Sequence, residues 1–594
     1  MQIDALTLRA IQAPDGEEFS ILPAAGTRKG KLLGFDAASG DVELQDFLVT
    51  TLDGSTVSTR AALSAIAGPV AGQVAVLTAA GYGGYFVFDD SDLSTEVTAD
   101  TELGIYIAPS TDLTGASGAW VRRYDGPLRV SWFNAVGDGS TDDTDSLIAA
   151  INMLDDGDTL DLQGYHLNIF VGVVGVTSGD AVTIGSVPRL FGKNNVTIRN
   201  GKITADSPGV SGTKYRYPTS LTIDGCTNVR LENLVVHSKG ESYGDTDASV
   251  GEGAEDRREF AAQNGGHAIL VVRSLGTSLV NCHARLCGSV GSIYVISSHD
   301  TKLHRCFSNP GSLGYAAYAF DSWCGNASVS GFAAHCSTMT DCSAYKEGYP
   351  YGSKGCVLTE DKDVSVTVNG GFFADAYPNG TARDLGYAFG CSSSQTIVNG
   401  AVVENCASIG YTATTNGTDE SYLYIANVHA IGLSKTVHQT ENTSVGTMRW
   451  LYVDVIADVV GGGTWAGDGN LAREETSYVA IMNLSNTIYG KFSNCQFTGA
   501  TYGFINATTT YGHLQFRGCS IETNGFLADT KNIGSGSAGR GLIRGIHFFD
   551  CDIEDISSET TAYFTVFSTI VYTYIDLSTS TIRLNSARNV ESST

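Results

Sequence analysis

Residues 132–152 read WFNAVGDGSTDDTDSLIAAIN, and this stretch decides the fold. Val130, Trp132 and Phe133 read as a short apolar strand. Gly137-Asp138-Gly139 must turn, because two glycines around an aspartate favour positive φ. Ser140 and Asp143 are spaced like a capping box with Asp in place of Glu. Asp142, Asp143 and Asp145 crowd the first turn of the helix that follows, where the dipole favours anions. Leu147, Ala150, Ile151 and Leu154 then recur at i, i+3, i+4 and i+7, which makes one apolar face. A single amphipathic helix ahead of a long β region is suited to covering the open end of a hydrophobic stack.

The rest of the chain supplies that β region. Its 594 residues exceed what one compact core takes unless the architecture repeats. Gly is frequent at 70, Pro rare at 11, and charged residues make up only 17%. Together with many Val, Ile, Thr and Tyr, this describes a β-rich chain rather than a disordered one. A net charge of −27 argues against a nucleic-acid partner, since phosphate binding needs clustered Lys and Arg. The start, MQIDALTLRAIQ, shows no secretory signal, and no apolar run is long enough to insert in a membrane. The 13 Cys include no CxxC pair, and free, buried thiols in a chain made in a reducing cytoplasm are expected.

From about residue 190 the sequence repeats an alternating strand, a two-residue corner and a second strand. The corners are Asn200-Gly201, Asp224-Gly225, Asn281-Cys282, Arg305-Cys306, Asp341-Cys342, Asn369-Gly370, Asn399-Gly400, Asn405-Cys406, Asn494-Cys495, Gly518-Cys519 and Asp550-Cys551. Some fall one coil apart, as 306 − 282 = 24 and 519 − 495 = 24. That length fits a triangular coil of three short strands at about 3.3 Å per residue, and such self-similarity marks a solenoid. Cys at equivalent corners reads as a small, soft core filler. The polar, acidic insertion at 238–266 has no alternating apolar residues and is expected to leave the wall.

The segment 132–152, taken with these coils, resembles the N-terminal signature of the pectate-lyase-like superfamily as found in phage tailspike proteins. That resemblance implies an all-β fold: a right-handed parallel β-helix with an N-terminal capping helix, assembled as a homotrimer. TRKGKLLGFDAASGDVEL, within residues 1–50, resembles virion-attachment leaders that join the phage tail or baseplate. Gly81 to Tyr124 resembles the small β module before the helix, within 51–127, where Trp120, Arg122 and the DGP of 125–127 lead into the cap. The β-helix is expected over 128–555. The Ser/Thr-rich end, 556–594, is expected to close the stack and hold three chains together. The implied place is the virion, acting at the bacterial cell surface, and the implied partner is a bacterial surface polysaccharide.

A parallel β-helix sets equivalent residues of adjacent coils about 4.8 Å apart, which can bring two carboxylates together. Aligning 317–331, 356–370 and 386–400 by their corners stands Asp321 over Glu360, with Gly390 in the next coil. Asp361 and Asp363 flank the spot. Trp323, Tyr345, Tyr349, Tyr351, Tyr377 and Tyr387 surround it, and Lys362 adds a cation. Paired carboxylates can act as acid and base in glycosidic cleavage, and flat rings stack on sugar C–H faces. The catalytic candidates are therefore Asp321, Glu360 and Asp361. The substrate-binding candidates are Trp323, Tyr345, Tyr349, Tyr351, Lys362 and Tyr387. A second acidic set, Asp245, Asp247, Glu252, Glu255, Asp256 and Glu259, lies on the insertion.

A polysaccharide lyase, served by Lys346, Lys354, Lys362 or Arg383, and a spike that only binds glycan remain open alternatives. No cofactor is expected. Metal is not expected either: VVGGGTWAGDGN (459–470) is a lone calcium-like turn, the histidines lack zinc spacing, and His299-Asp300 reads as a bend. No P-loop, GxSxG elbow or dinucleotide fingerprint is present.

Overall fold

The computed structural model describes residues 31–35, 42–46, 55–170 and most of 173–583. The longest stretches outside it are 1–30, 207–218, 239–266, 323–335, 346–354, 377–385, 460–480, 530–541, 556–564 and 584–594. The chain divides into two compact units, Met1–Asp125 and Gly126–Thr594.

In the first unit, Lys31–Phe35 pairs antiparallel with Val42–Asp46 to form a hairpin. A five-stranded mixed sheet follows, built from Ser55–Val57, Val74–Leu77, Gly84–Asp89, Tyr106–Ile107 and Ala119–Arg123. The short helix Arg60–Ser64 is capped by Thr59, whose Oγ1 accepts from the Ala62 amide at 3.0 Å. Leu63, Leu77, Phe86, Phe88, Ile107 and Trp120 form the core. Arg122 is buried beside it, and its guanidinium donates to the carbonyls of Tyr82, Gly83 and Gly104.

The second unit is a solenoid of parallel strands. Each coil places two strands in a bent 28-stranded sheet and a third in a separate 13-stranded sheet, so the coil has three walls. A typical coil runs Lys302–His304 on the first wall, Phe307–Asn309 on the second and Ala316–Asp321 on the third. Its neighbours pair with it in parallel on all three walls. Parallel pairing continues as far as Thr581–Arg583.

The bend between the first two walls explains the corner residues. Asn200, Asn233, Asn281, Arg305, Asp341, Asn494 and Asp550 all sit there with φ between 51° and 60°. Asn reaches this left-handed region more readily than most residues. The side-chain amide of Asn281 donates to Asn233, and that of Asn233 to Asn200, both at 3.2 Å. The residue after the bend turns inward, so Cys282, Cys306, Cys342, Cys495, Cys519 and Cys551 are buried free thiols.

Two of the predicted corners belong elsewhere. Asp224-Gly225 closes the third wall, where Gly225 donates to Val272, and Asn405-Cys406 closes the second, where Asn405 donates to Ile431. One motif serves three bends because each demands the same backbone conformation. At Asn369-Gly370 and Asn399-Gly400 the bend residue is the glycine, one place later than in the Asn-Cys corners. Asp300, with φ 54°, confirms His299-Asp300 as a bend.

The first wall carries one unbroken inward row: Leu279, Leu303, Met339, Val368, Val398, Ile425, Tyr452, Phe492, Phe516 and Phe548. Its last rings stack, with Phe492–Phe516 and Phe516–Phe548 centroids both 4.8 Å apart.

The opening segment folds differently in detail. Val130–Phe133 is a 3-10 turn rather than a strand, with all four residues buried. Asp138–Asp142 pairs as a strand beside His166–Phe170, so the helix begins only at Thr144. Ser140 therefore does not cap it. The Asp143 carboxylate turns back to accept from the Val136 and Gly137 amides at 2.7 and 3.1 Å, and its burial raises its pKa. Asp138 accepts from the Ser140 and Thr141 amides, which holds its carboxyl well below the usual range. Leu147, Ala150, Ile151 and Leu154 are buried as the periodicity predicts. The helix Thr144–Asn152 packs on Val130–Phe133, on His166–Phe170 and on Arg189–Phe191, the edge strand of the third wall.

Candidate functional site

The third wall is a parallel sheet whose strands are continuously buried: Gly291–Ile296, Ala316–Asp321 and Tyr387–Ser392 show no exposed residue. Parallel strands buried on both faces read as apolar runs, and these do until their last positions. There Ile296 pairs with Asp321, and the register Phe320 with Thr359 carries Asp321 to the rung beside Glu360. In the following coil Glu360 pairs with Ser392, while Gly390 pairs with Leu358. The expected Gly390 is thus two places off. The bend after Glu360 holds two residues more than the Ser393-Ser394 bend, and alignment from the next corner inherits that difference.

Asp321 and Glu360 do not both face solvent. Asp321 is only 7% exposed and Glu360 is half-buried. Tyr294, one strand earlier, donates its hydroxyl to Asp321 Oδ2 at 2.7 Å. Burial, then the charge of Asp321, pushes the Tyr294 phenol well above its ordinary value, and Glu360 and Asp361 push the same way. Tyr294 therefore keeps its proton, and stays a donor, near neutral pH. Behind it, the His267 ring lies 4.7 Å from the Tyr294 ring and donates Nδ1–H to the Gly291 carbonyl at 2.8 Å. Burial lowers His267 to about 4, so it is neutral at pH 7. On the other side, Ser322 Oγ donates to Asp361 Oδ2 at 3.3 Å, and Ser297 Oγ donates to the Ser322 carbonyl at 2.9 Å. Asp361, with φ 73°, and exposed Lys362 form the bend that follows Glu360. The result is a short row of carboxylates at the edge of an apolar patch, held by a phenol and a serine.

The aromatic candidates separate. Trp323, Tyr349, Tyr351 and Tyr377 lie outside the described residues, as do Lys346, Lys354 and Arg383. The acidic set of the 238–266 insertion and most of the Gly/Asp turn at 459–470 lie outside them too. Tyr345 is 41% exposed, but on the second wall, in register with Ala374. It precedes the strand Gly355–Glu360, so it meets the wall at the end opposite the carboxylates. Tyr387 is fully buried rather than open to a sugar: its ring stacks on Tyr411 at 4.7 Å and lies across Gly390, where a Cβ would approach it to 2.2 Å. Tyr294, His267 and Ser322 were not anticipated. Tyr294 shares a strand with Ile296, whose register with Asp321 was the available signal.

Among the described residues no group of three His, Cys, Asp or Glu is arranged to hold a metal, and no helix is long and apolar enough to cross a membrane.

No protein-family model and no curated protein sequence matches the chain. Solved structures do. Full-length tailspike protein 2 of Escherichia coli O157:H7 bacteriophage CAB120 matches at 14% identity and TM-score 0.41, over 96% of this chain and 63% of its own. The chain thus spans less than two thirds of that tailspike. A capsular polysaccharide depolymerase tailspike of Acinetobacter baumannii bacteriophage Fri1 matches at 11% and 0.33, over 75% of this chain and 74% of its own. The Streptococcus pneumoniae surface adhesin PfbA matches at 9% and 0.35, over 77% and 99%. These scores carry no argument about what this chain does.

Proposed function

We propose that the protein binds and depolymerises a bacterial surface polysaccharide by endo-glycosidic hydrolysis, as a homotrimeric spike held to a phage tail by its N-terminal segment. The observation that carries this reading is the row Asp321, Glu360 and Asp361 on adjacent rungs, with Tyr294 fixing the first. Cleavage of a glycosidic bond needs one carboxylic acid to protonate the leaving oxygen and one carboxylate as base or nucleophile. Asp321, oriented by the Tyr294 hydroxyl, suits the fixed carboxylate. Glu360, more accessible, suits the acid, and Asp361 is the alternate for either. Lys362 on the adjoining bend can meet an acidic substituent, and Trp323, Tyr349 and Tyr351 are proposed as stacking surfaces.

The test is product analysis. Purified protein is incubated with candidate capsular and O-antigen polysaccharides, and products are followed by mass spectrometry, reducing ends and ultraviolet absorbance. Hydrolysis gives saturated oligosaccharides with new reducing ends, and Asp321→Asn and Glu360→Gln each slow their release at least ~100-fold. An unsaturated, absorbing product would make it a lyase. Binding with no loss of polysaccharide mass would make it an adhesin. Near wild-type rates in both variants would remove the carboxylate pair from the mechanism.

A further inference from the structure

A second feature lies on a different wall. Three consecutive first-wall strands, Thr487–Ser493, Tyr511–Arg517 and Leu542–Phe549, present their outward residues as a grid. Tyr489 pairs with His513 and His513 with Gly545, Lys491 with Gln515 and Gln515 with His547, and Ser493 with Arg517 and Arg517 with Phe549. The pairing slips between Gly512 and His513, and Gly545 has no side chain to place beside His513. A cleft of about 300 Å³ results, lined by Tyr489, Lys491, His513, Gln515, His547 and Phe549.

The chain carries 63 Asp and Glu against 36 Lys and Arg, yet among the described residues no carboxylate lines this cleft. Lys491 and Arg517 are exposed, and Arg517 lies 6.0 Å from the Phe549 ring. One coil earlier, the Arg449 guanidinium sits 4.7 Å over Tyr489. The planar groups share an orientation: Tyr489 and His513 are 6.2 Å apart at 24°, His513 and His547 6.4 Å at 24°, and His547 and Phe549 5.9 Å at 3°. Each step is comparable to one sugar residue along a chain. Flat rings at that interval offer C–H stacking, Gln515 can donate to and accept from hydroxyls, and Lys491 supplies a point charge for an anionic substituent.

We propose that this cleft is a saccharide-binding site for an anionic sugar chain, separate from the carboxylate row. It rests on the glycan reading above only for the choice of ligand. Asp321 lies on another wall, six coils back from the strand of Tyr489 and Lys491, roughly 29 Å along the stack at about 4.8 Å per coil. The site would hold a polymer while another stretch is cleaved, without touching the reacting bond.

The test uses the full-length protein and three probes in saturation-transfer NMR and calorimetry: oligogalacturonate, neutral cello-oligosaccharide and a thymidine oligonucleotide. Oligogalacturonate is expected to bind more tightly than the neutral chain. The Tyr489→Ala, Lys491→Ala double variant is expected to weaken it at least ~10-fold, with an unchanged melting temperature. Asp321→Asn is expected to bind it as the wild type does, so cleavage and holding are read separately. Equal affinity for acidic and neutral chains, full affinity in the double variant, preference for the oligonucleotide, or no binding at millimolar probe would each overturn the assignment.

Discussion

At the scale of the residue, Tyr294 and Asp321 show how burial and charge decide a side chain's role. A buried carboxylate is costly unless something donates to it, and the Tyr294 hydroxyl does so at 2.7 Å. Tyr294→Phe removes that donor. The variant is expected to fold, to lose roughly tenfold or more in rate, and to shift the acidic limb of its pH–rate profile upward, because Asp321 ionises less readily without the hydrogen bond. An unmoved limb would detach Tyr294 from the chemistry. His438 poses the opposite problem. It is buried, stacked at 4.1 Å on Trp450 and hydrogen-bonded to Tyr452 Oη and Thr412 Oγ1, with no carboxylate among these partners. Burial lowers it to about 3, and His267 to about 4. The unfolded chain protonates both below about 6.5, whereas the folded chain does not until its lowered values are reached. Stability is therefore complete above that pH and falls as pH drops toward 4, by up to about 1.4 kcal/mol per pH unit for each histidine. Melting curves from pH 7 to 4.5 check this, and a flat profile would contradict it.

At the scale of the element, the coil is defined by a left-handed bend and the inward side chains around it. The Phe492, Phe516 and Phe548 stack concentrates ring contact in the last first-wall strands. Phe516→Ala is expected to cost about 3–5 kcal/mol as a cavity, measured by denaturant melts. Gly490→Ala fails for the reverse reason, since its Cβ would stand 2.5 Å from the Trp450 ring, and overpacking of this kind costs about 1–3 kcal/mol. The cysteines after the bend form runs 282–306–342 and 495–519–551, in which neighbouring free thiols hydrogen-bond to one another. Cys519 is pushed up to about 12, chiefly by its hydrogen bond to Cys495. A thiol raised this far is a poor nucleophile at neutral pH. Denatured protein is expected to titrate 13 thiols without reduction. Native protein is expected to label Cys336 ahead of the other described cysteines, since it alone among them is exposed.

At the scale of the whole molecule, a solenoid puts chemistry on flat walls rather than in a deep pocket. Its usable sites are rows along the stack, and the carboxylate row and the aromatic, cationic cleft occupy different walls. The second wall carries exposed Phe372, Val402 and Ile456, with Phe372 paired to Val402 and His429 between Val402 and Ile456. A stripe of this kind is available for association, in keeping with the proposed trimer. Light scattering is expected to return three times the 62.5 kDa chain mass, and a monomer mass would refute the trimer.

The sequence by itself determined the repeating architecture, because its signals are local. Asn, Gly and Cys mark bends whose backbone few residues adopt, alternating apolar residues mark inward rows, and Leu147, Ala150, Ile151 and Leu154 mark one helix face. It also placed Asp321 beside Glu360, since pairing register follows from coil length wherever coils match. It failed at Gly390, where a longer bend shifted the count, and at Ser140, where a strand pairing displaced the helix start. Only the tertiary structure decided which faces are open. Asp321 and Tyr387 are polar or amphipathic residues on what a sequence pattern presents as an outer wall, yet both are buried, Asp321 against Tyr294 and Tyr387 against Tyr411. The cleft at Tyr489, His513 and His547 was likewise hidden, because its parts lie 24 and 34 residues apart (513 − 489 and 547 − 513). They meet only through a register slip and a missing side chain at Gly545. Burial and concavity depend on what lies across a surface, and that is set by contacts between segments remote in the chain.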